Sequence, residues 1–440
     1  MPTSEPAATP SPAPDADAAL TRHGSIGLAP ASALYIAAVL GTGILVLPGL
    51  AADAAGPAAV LAVAAVVLLS IPLAGTFAAL AARYPDAGGV ATFVRLALGE
   101  TAARATGYWF FFGVAFGAPV VASLGGENVV AALGLPRGLV PVIGLAFLVA
   151  TFILAAFGLR VSGTVQLVLS ALLVVIVVIV VASAVPAAEP AQFAPFLPHG
   201  WAGVGVAISL FVWAVAGWEA VTHIAAEFRN PSRTIPLATA IAVGVVGVAY
   251  LALQIATIAV LGADEPSSAV PLIDLVAITL PGVGPLIVGI IAGIVVVGVL
   301  NAYLPAFANL GASLGRDGHL PRWFAKGADA GEVPRRALAL FAALMVIYVG
   351  AFFAFRIDLA TFILIHTSSM VAIYAVGTFA AVRLLPRFSA GWWMALVSVI
   401  LCAGLVVLAG WHLVLPAGFA VVAIAVTVIR RMRARRAARA

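Results

Sequence analysis

Cysteine is almost absent from this chain of 440 residues, with Cys402 standing alone. That excludes an intramolecular disulfide and any multi-cysteine metal site. Lysine is as scarce, Lys326 being the single one. Asp, Glu, Lys and Arg together make up 9% of the chain, against about 25% in a typical soluble domain. So little charge cannot cover the surface that a chain of this length would turn to water. Soluble enzymes, nucleic-acid binders and disordered scaffolds are thereby excluded. No nucleotide-binding loop, metal-ligand cluster or nucleophile–base set is legible either. Neither a cofactor nor ATP-driven work by this chain alone is expected.

What is present is apolar. Hydrophobic residues are 64% of the sequence, and the mean hydropathy is +1.18. A helix needs about 20 apolar residues to cross roughly 30 Å of hydrocarbon. Division at charges, prolines and glycines gives twelve such segments, near 27–50, 57–82, 104–132, 139–158, 162–185, 203–226, 235–261, 283–312, 336–355, 359–384, 391–409 and 411–429. The sequence therefore predicts an all-α polytopic membrane protein. With both termini cytoplasmic, only Arg137 and Arg356 of the 22 Lys and Arg fall outside, a strong positive-inside pattern. Residues 1–24, rich in Pro, Ala and Asp, read as a disordered cytoplasmic tail and not as a signal peptide. The run from Arg430 to Arg436 opens a basic tail over 430–440. It reads as a topological anchor, and it is suited to anionic lipid.

Two spans are interrupted by glycine. The first carries Gly41-Thr42-Gly43 followed by Pro48, and the sixth carries Ala216-Gly217-Trp218-Glu219. An unwound turn exposes main-chain N–H and C=O groups, tolerated in a bilayer only where they line a cavity or meet a polar ligand. Paired interruptions in two halves point to the central site of a secondary transporter. Small residues also permit close helix packing, the plainer reading of one such motif alone. Residues 25–185 and 203–384 form two five-span halves, whose long connections (84–103 and 262–282) lie on opposite sides, as an inverted repeat requires. The spans over 391–429 are an appended pair.

Five stretches in order carry a resemblance: Gly41-Thr42-Gly43-Ile44 with Leu47-Pro48, Tyr84-Pro85-Asp86-Ala87-Gly88-Gly89, Gly217-Trp218-Glu219-Ala220, Glu227-Phe228-Arg229-Asn230-Pro231 and Arg316-Asp317-Gly318-His319-Leu320-Pro321. With them the chain resembles permeases of the amino acid–polyamine–organocation superfamily along almost its whole length. It looks most like the bacterial branch that exports methionine and branched-chain amino acids, through Trp213–Ala220 and Asn301-Ala302-Tyr303. The resemblance implies a LeuT-like 5+5 inverted-repeat core with discontinuous first and sixth helices. It also implies a bacterial inner-membrane location and a monomer or homodimer.

A zwitterion at mid-membrane needs both charged ends satisfied, because burying an unpaired charge costs many kcal/mol. By resemblance, the backbone and hydroxyl around Thr42 and Gly43 take the carboxylate, at a half-helix N-terminus suited to an anion. Carbonyls at Val39, Trp213 and Ala216 take the ammonium, and Gly41 and Gly217 are expected in the same substrate site. Phe112, Phe116, Trp213 and Tyr303, with Asn301, are expected around the substrate side chain. Similar permeases for cationic amino acids carry a polar residue where Phe116 stands, which argues against a charged substrate. Each phenylalanine is as readily read as helix packing.

Among acids, only Glu127 and Glu219 fall within the twelve segments. An ionisable group inside a membrane helix is a functional candidate, so Glu219 is the expected proton carrier. Its plainer role is to anchor the unwound turn by hydrogen bonding. Glu127 with Asn128 reads equally as a solvated helix end, and His223 and His366 as structural hydrogen-bonding groups. The fifth span lacks the lysine that some relatives place there. The expected activity is proton-coupled efflux of Leu, Ile, Val and Met by alternating access. An uptake permease or exchanger of the same fold, and a membrane amino-acid sensor without transport, are the alternatives.

Overall fold

The computed structural model describes residues 26–84, 89–159, 163–219, 228–262, 270–327 and 333–437, with Thr222 and Ala225. The N-terminal tail, Pro85–Gly88, Arg160, Ala220, His223 and Glu227 lie outside the described residues.

Sixteen α-helices follow one another: α1 (Leu28–Leu40), α2 (Leu47–Ala55), α3 (Ala59–Arg83), α4 (Gly89–Leu98), α5 (Glu100–Tyr108), α6 (Gly117–Ala132), α7 (Val140–Ala156), α8 (Gly163–Ala184), α9 (Gly200–Val215), α10 (Pro231–Leu261), α11 (Pro271–Thr279), α12 (Val283–Arg316), α13 (Arg335–Ala354), α14 (Leu359–Leu384), α15 (Ala390–Ala409) and α16 (Val414–Ala437). No strand occurs among the described residues, only an isolated bridge between Ile26 and Phe228. Nine helical stretches among them are long and apolar enough to cross a membrane. Helices satisfy their own backbone groups, which hydrocarbon demands. This is a polytopic membrane protein.

Burial is distributed accordingly. On α7, Val142, Leu145, Val149 and Ile153 recur at helical spacing and are all exposed, a stripe suited to lipid. The side chains of α14 behave in the opposite way, with Thr367, Ser368, Ser369, Tyr374 and Thr378 buried. Such hydroxyls are accommodated by donating to a carbonyl one turn back, as Ser70 does to Val66 (2.9 Å) and Thr378 to Tyr374 (2.8 Å). α6 is closely packed by α7 and α12 through small residues. A Cβ on Gly126 would lie 2.5 Å from the Val140 carbonyl oxygen, and one on Gly144 would lie 3.0 Å from that of Ala122. Gly289 on α12 meets Ala132 of α6 in the same way.

The helices depart from the sequence expectation at three ends. The first span is divided and its second part runs on to Ala55, so Asp53 lies on the exposed side of α2 instead of in a loop. The connection over 84–103 holds α4 and the start of α5. α16 continues to Ala437, so Arg430–Arg436 extend a helix and not a free tail.

Charged groups gather where α4 and α5 meet the end of α12. Arg95 lies 3.7 Å from Glu100 and 3.6 Å from Asp317, and His319 Nε2 lies 3.4 Å from Glu100. Tyr108 donates to the His319 carbonyl (2.6 Å), and Arg104 donates to Thr427 of α16. Burial, followed by the charge of Arg104, holds the His319 imidazole below the usual histidine range. The unfolded chain therefore binds more protons here, so stability falls as pH drops below the ordinary histidine value. His319→Gln is expected to flatten the loss of melting temperature between about pH 7 and pH 5.5, near the free-histidine pKa. Thermal unfolding of the detergent-solubilised protein across that range checks it; an unchanged slope would clear His319 of the acid sensitivity.

Candidate functional site

The interruption of the first span is built by Gly41, at φ +33°, which ends α1, and by a tight turn over Gly43–Leu45 before α2. Thr42 and Val39 are buried there. The Leu40 carbonyl, no longer in a regular helix, accepts from the Tyr250 hydroxyl of α10 at 3.1 Å. The Pro48 carbonyl in the first turn of α2 accepts from the Gln254 amide, also at 3.1 Å.

The second interruption follows α9. Ala216 is extended, with ψ 115°, and Gly217 has φ +137°, a conformation that side chains exclude. A Cβ on Gly217 would lie 2.7 Å from the Ala38 carbonyl oxygen of α1. The two interrupted helices thus touch backbone to backbone at this point. Glu219, 6% exposed, folds back so that its Oε2 accepts from the Gly217 N–H (3.1 Å) and the Tyr374 hydroxyl (2.7 Å). The same hydroxyl lies 2.8 Å from the Val215 carbonyl at the end of α9. One proton serves two acceptors.

Trp213 joins the interruptions to α6. A Cβ on Gly43 would come 2.9 Å from its indole, and a Cβ on Gly117 would come 3.3 Å from its far edge. Its ring lies 4.4 Å from that of His366, whose Nδ1 is 2.9 Å from the Val114 carbonyl. The Tyr303 ring of α12 stacks at 6.0 Å on that of Phe307.

Val39, Gly41, Thr42, Gly43, Trp213, Ala216, Gly217 and Glu219 are therefore brought together. The two phenylalanines part company. Phe116 stacks on Tyr348 at 3.9 Å, whereas Phe112 packs on Tyr108, Phe111 and Phe419 of α16. The cause is local: Trp109–Gly113 form a π turn and Val114–Phe116 a tighter one, so residues four apart no longer share a face. Asn301 donates to the Leu159 carbonyl beyond α7 (3.1 Å), a tether between helices. Asn128 is buried in α6 and donates to Leu124 (2.9 Å); Glu127 beside it is half-buried.

Sequence reasoning missed Tyr374, Tyr250 and Gln254. A signal existed, since the chain has only seven tyrosines and a phenol inside an apolar helix must find a partner. Two small cavities flank the first interruption, and both are mainly apolar. One lies between α1, α3, α9 and α10, at Val39, Val66, Phe211 and Tyr250. The other lies between α1, α8 and α12, at Ile36, Gly41, Leu173 and Gly298. Between Gly43 and Trp213 the walls are already in contact, so a ligand seated there would displace the indole.

Residues 26–429 match a family model described as amino acid permease. An uncharacterized amino acid permease of Bacillus subtilis, YecA, is 31% identical over 386 residues, 88% of this chain and 91% of its own length. The L-methionine/branched-chain amino acid exporter YjeH of Escherichia coli is 28% identical, over 88% of this chain and 92% of its own. The branched-chain amino acid permease BcaP of Lactococcus lactis is 26% identical, over 73% and 74%.

Proposed function

Because this chain belongs to the amino acid permease family, a family of transporters and not of enzymes, we propose that it moves neutral, mainly hydrophobic L-amino acids (Leu, Ile, Val and Met) outward across a bacterial inner membrane in exchange for protons. The observation that carries the reading is the meeting of the two interruptions, Gly217 against Ala38, with buried Glu219 folded over one of them. The main-chain N–H groups at Thr42 and Gly43 take the carboxylate in this reading, and carbonyls about Val39, Trp213 and Ala216 take the ammonium. The side chain then meets Trp213, Phe116 and Tyr303. Among the described residues no Lys or Arg is drawn into this cluster, which favours an uncharged side chain. Glu219 carries the proton.

The proposed cycle is alternating access within a 5+5 inverted repeat of twelve spans, both termini cytoplasmic. In that count α1 with α2 crosses once. The apolar run Ala390–Arg430 crosses twice about Gly410, whose φ is +52°. The relatives named as an L-methionine/branched-chain amino acid exporter and a branched-chain amino acid permease support the substrate class.

Purified protein in proteoliposomes tests this with radiolabelled leucine, with and without an imposed pH gradient. Gradient-driven leucine flux is expected, competed by methionine, isoleucine and valine and not by arginine or glutamate. Competition by arginine would discard the apolar pocket, and absence of any saturable leucine flux would discard the transport reading.

A further inference from the structure

Tyr250 and Gln254 lie four residues apart on α10, and residues so spaced share one face of a helix. Both are buried to 2% exposure or less. Each bonds to a carbonyl on a different side of the first interruption, Leu40 before it and Pro48 after it. One helix therefore grips the two separated pieces, α1 and α2, across the interruption at Gly41–Thr42–Gly43. A second observation places the phenol at the unwound turn itself: a Cβ on Gly43 would lie 2.6 Å from the Tyr250 hydroxyl oxygen. The ring is fixed edge-on against Phe211 of α9, with centroids 5.7 Å apart.

An interrupted helix in a low-dielectric interior is drawn to rewind. Each lost backbone bond leaves a carbonyl in want of a donor, and the N–H groups of the turn are donors in the same segment. If the Leu40 carbonyl took one of those, a ligand carboxylate would lose it. The Tyr250 hydroxyl occupies that carbonyl, and Gln254 anchors the far piece so that the gap keeps its width.

We infer that Tyr250 and Gln254 are positioning residues that hold the first interruption open and so set its selectivity for an α-carboxylate. This rests on the amino-acid site proposed above. Neither side chain touches the substrate; both act through the backbone between Leu40 and Pro48.

The test compares leucine with leucinol, which keeps the ammonium and the side chain but has a hydroxymethyl group in place of the carboxylate. Competition by each against radiolabelled leucine is read in proteoliposomes holding wild type, Tyr250→Phe or Gln254→Met. The Tyr250→Phe variant is expected to raise the half-inhibiting concentration of leucine at least tenfold and to leave that of leucinol within twofold. Gln254→Met is expected to shift the ratio in the same direction, and it keeps the test open should Tyr250→Phe fail to fold. A purely structural loss would weaken both compounds alike. An unchanged ratio in the folded variants would overturn the inference, whereas failure of wild type to transport leucine would overturn the underlying site instead.

Discussion

Gly217→Ala is expected to lower leucine transport at least about 100-fold. At φ +137° an alanine would sit in a region open essentially to glycine, which costs about 1–3 kcal/mol in backbone strain alone. Its Cβ would also lie 2.7 Å from the oxygen and 3.0 Å from the carbon of the Ala38 carbonyl. Both obstructions are main chain, so no rotamer change relieves them and α1 must move away from the turn after α9. That movement separates the groups offered to the two ends of the substrate. Gly244→Ala on α10 is the control, because nothing lies within 4 Å of the added Cβ, and it should transport at the wild-type rate. Counterflow of leucine in proteoliposomes, with a chromatographic check of folding, decides the matter. A Gly217→Ala protein within threefold of wild type would show that the backbone contact is not needed.

Glu219→Gln is expected to leave leucine exchange within about threefold of wild type and to remove the response to an imposed pH gradient. A glutamine oxygen can still accept from the Gly217 N–H and the Tyr374 hydroxyl, so the turn keeps its anchor. What disappears is the capacity to take up and release a proton. The Tyr374 hydroxyl marks the difference between the two charge states. Facing a carboxylate, it donates to Glu219; facing a protonated carboxyl, it accepts from Glu219 and donates to the Val215 carbonyl 2.8 Å away. Protonation of Glu219 thereby changes the hydrogen bonding at the end of α9. Glutamine cannot make that change. Exchange that remains responsive to the gradient in this variant would assign the proton to another group.

Much of this arrangement is legible in the chain because it is written locally. The apolar segments, the interruptions at Gly41–Gly43 and Gly217, and the acid beside the second are each visible within a few residues. The contacts that complete the site are not. Tyr374 reaches Glu219 across 155 positions, and Tyr250 reaches Leu40 across 210. Such pairs leave no spacing for a reader of sequence to find, since half of each contact involves backbone or a lone polar group in an apolar helix. Phe112 illustrates a second limit. Its direction depends on the π turn at Trp109–Gly113, and nothing in a run of aromatic residues announces that one helical turn holds an extra residue. The last helix shows a third, because the arginines from Arg430 to Arg436 read as a basic anchor without revealing that α16 runs on beneath them to Ala437.

The seam joining α6, α7 and α12 leaves little there to rearrange gradually. Where Gly126 and Gly144 bring main chain against main chain, there are no side-chain rotamers to exchange, and sliding by one residue would drive carbonyls into Cβ atoms. This part of the molecule holds its shape or comes apart. Around Trp213 and His366 the contacts are made by side chains instead. Rings turn within nanoseconds when unhindered, whereas collective helix movements take microseconds to milliseconds. Displacement in the proposed cycle therefore belongs on the α9 side, where side chains meet, and the seam contributes stillness, a fixed wall against which that displacement takes place.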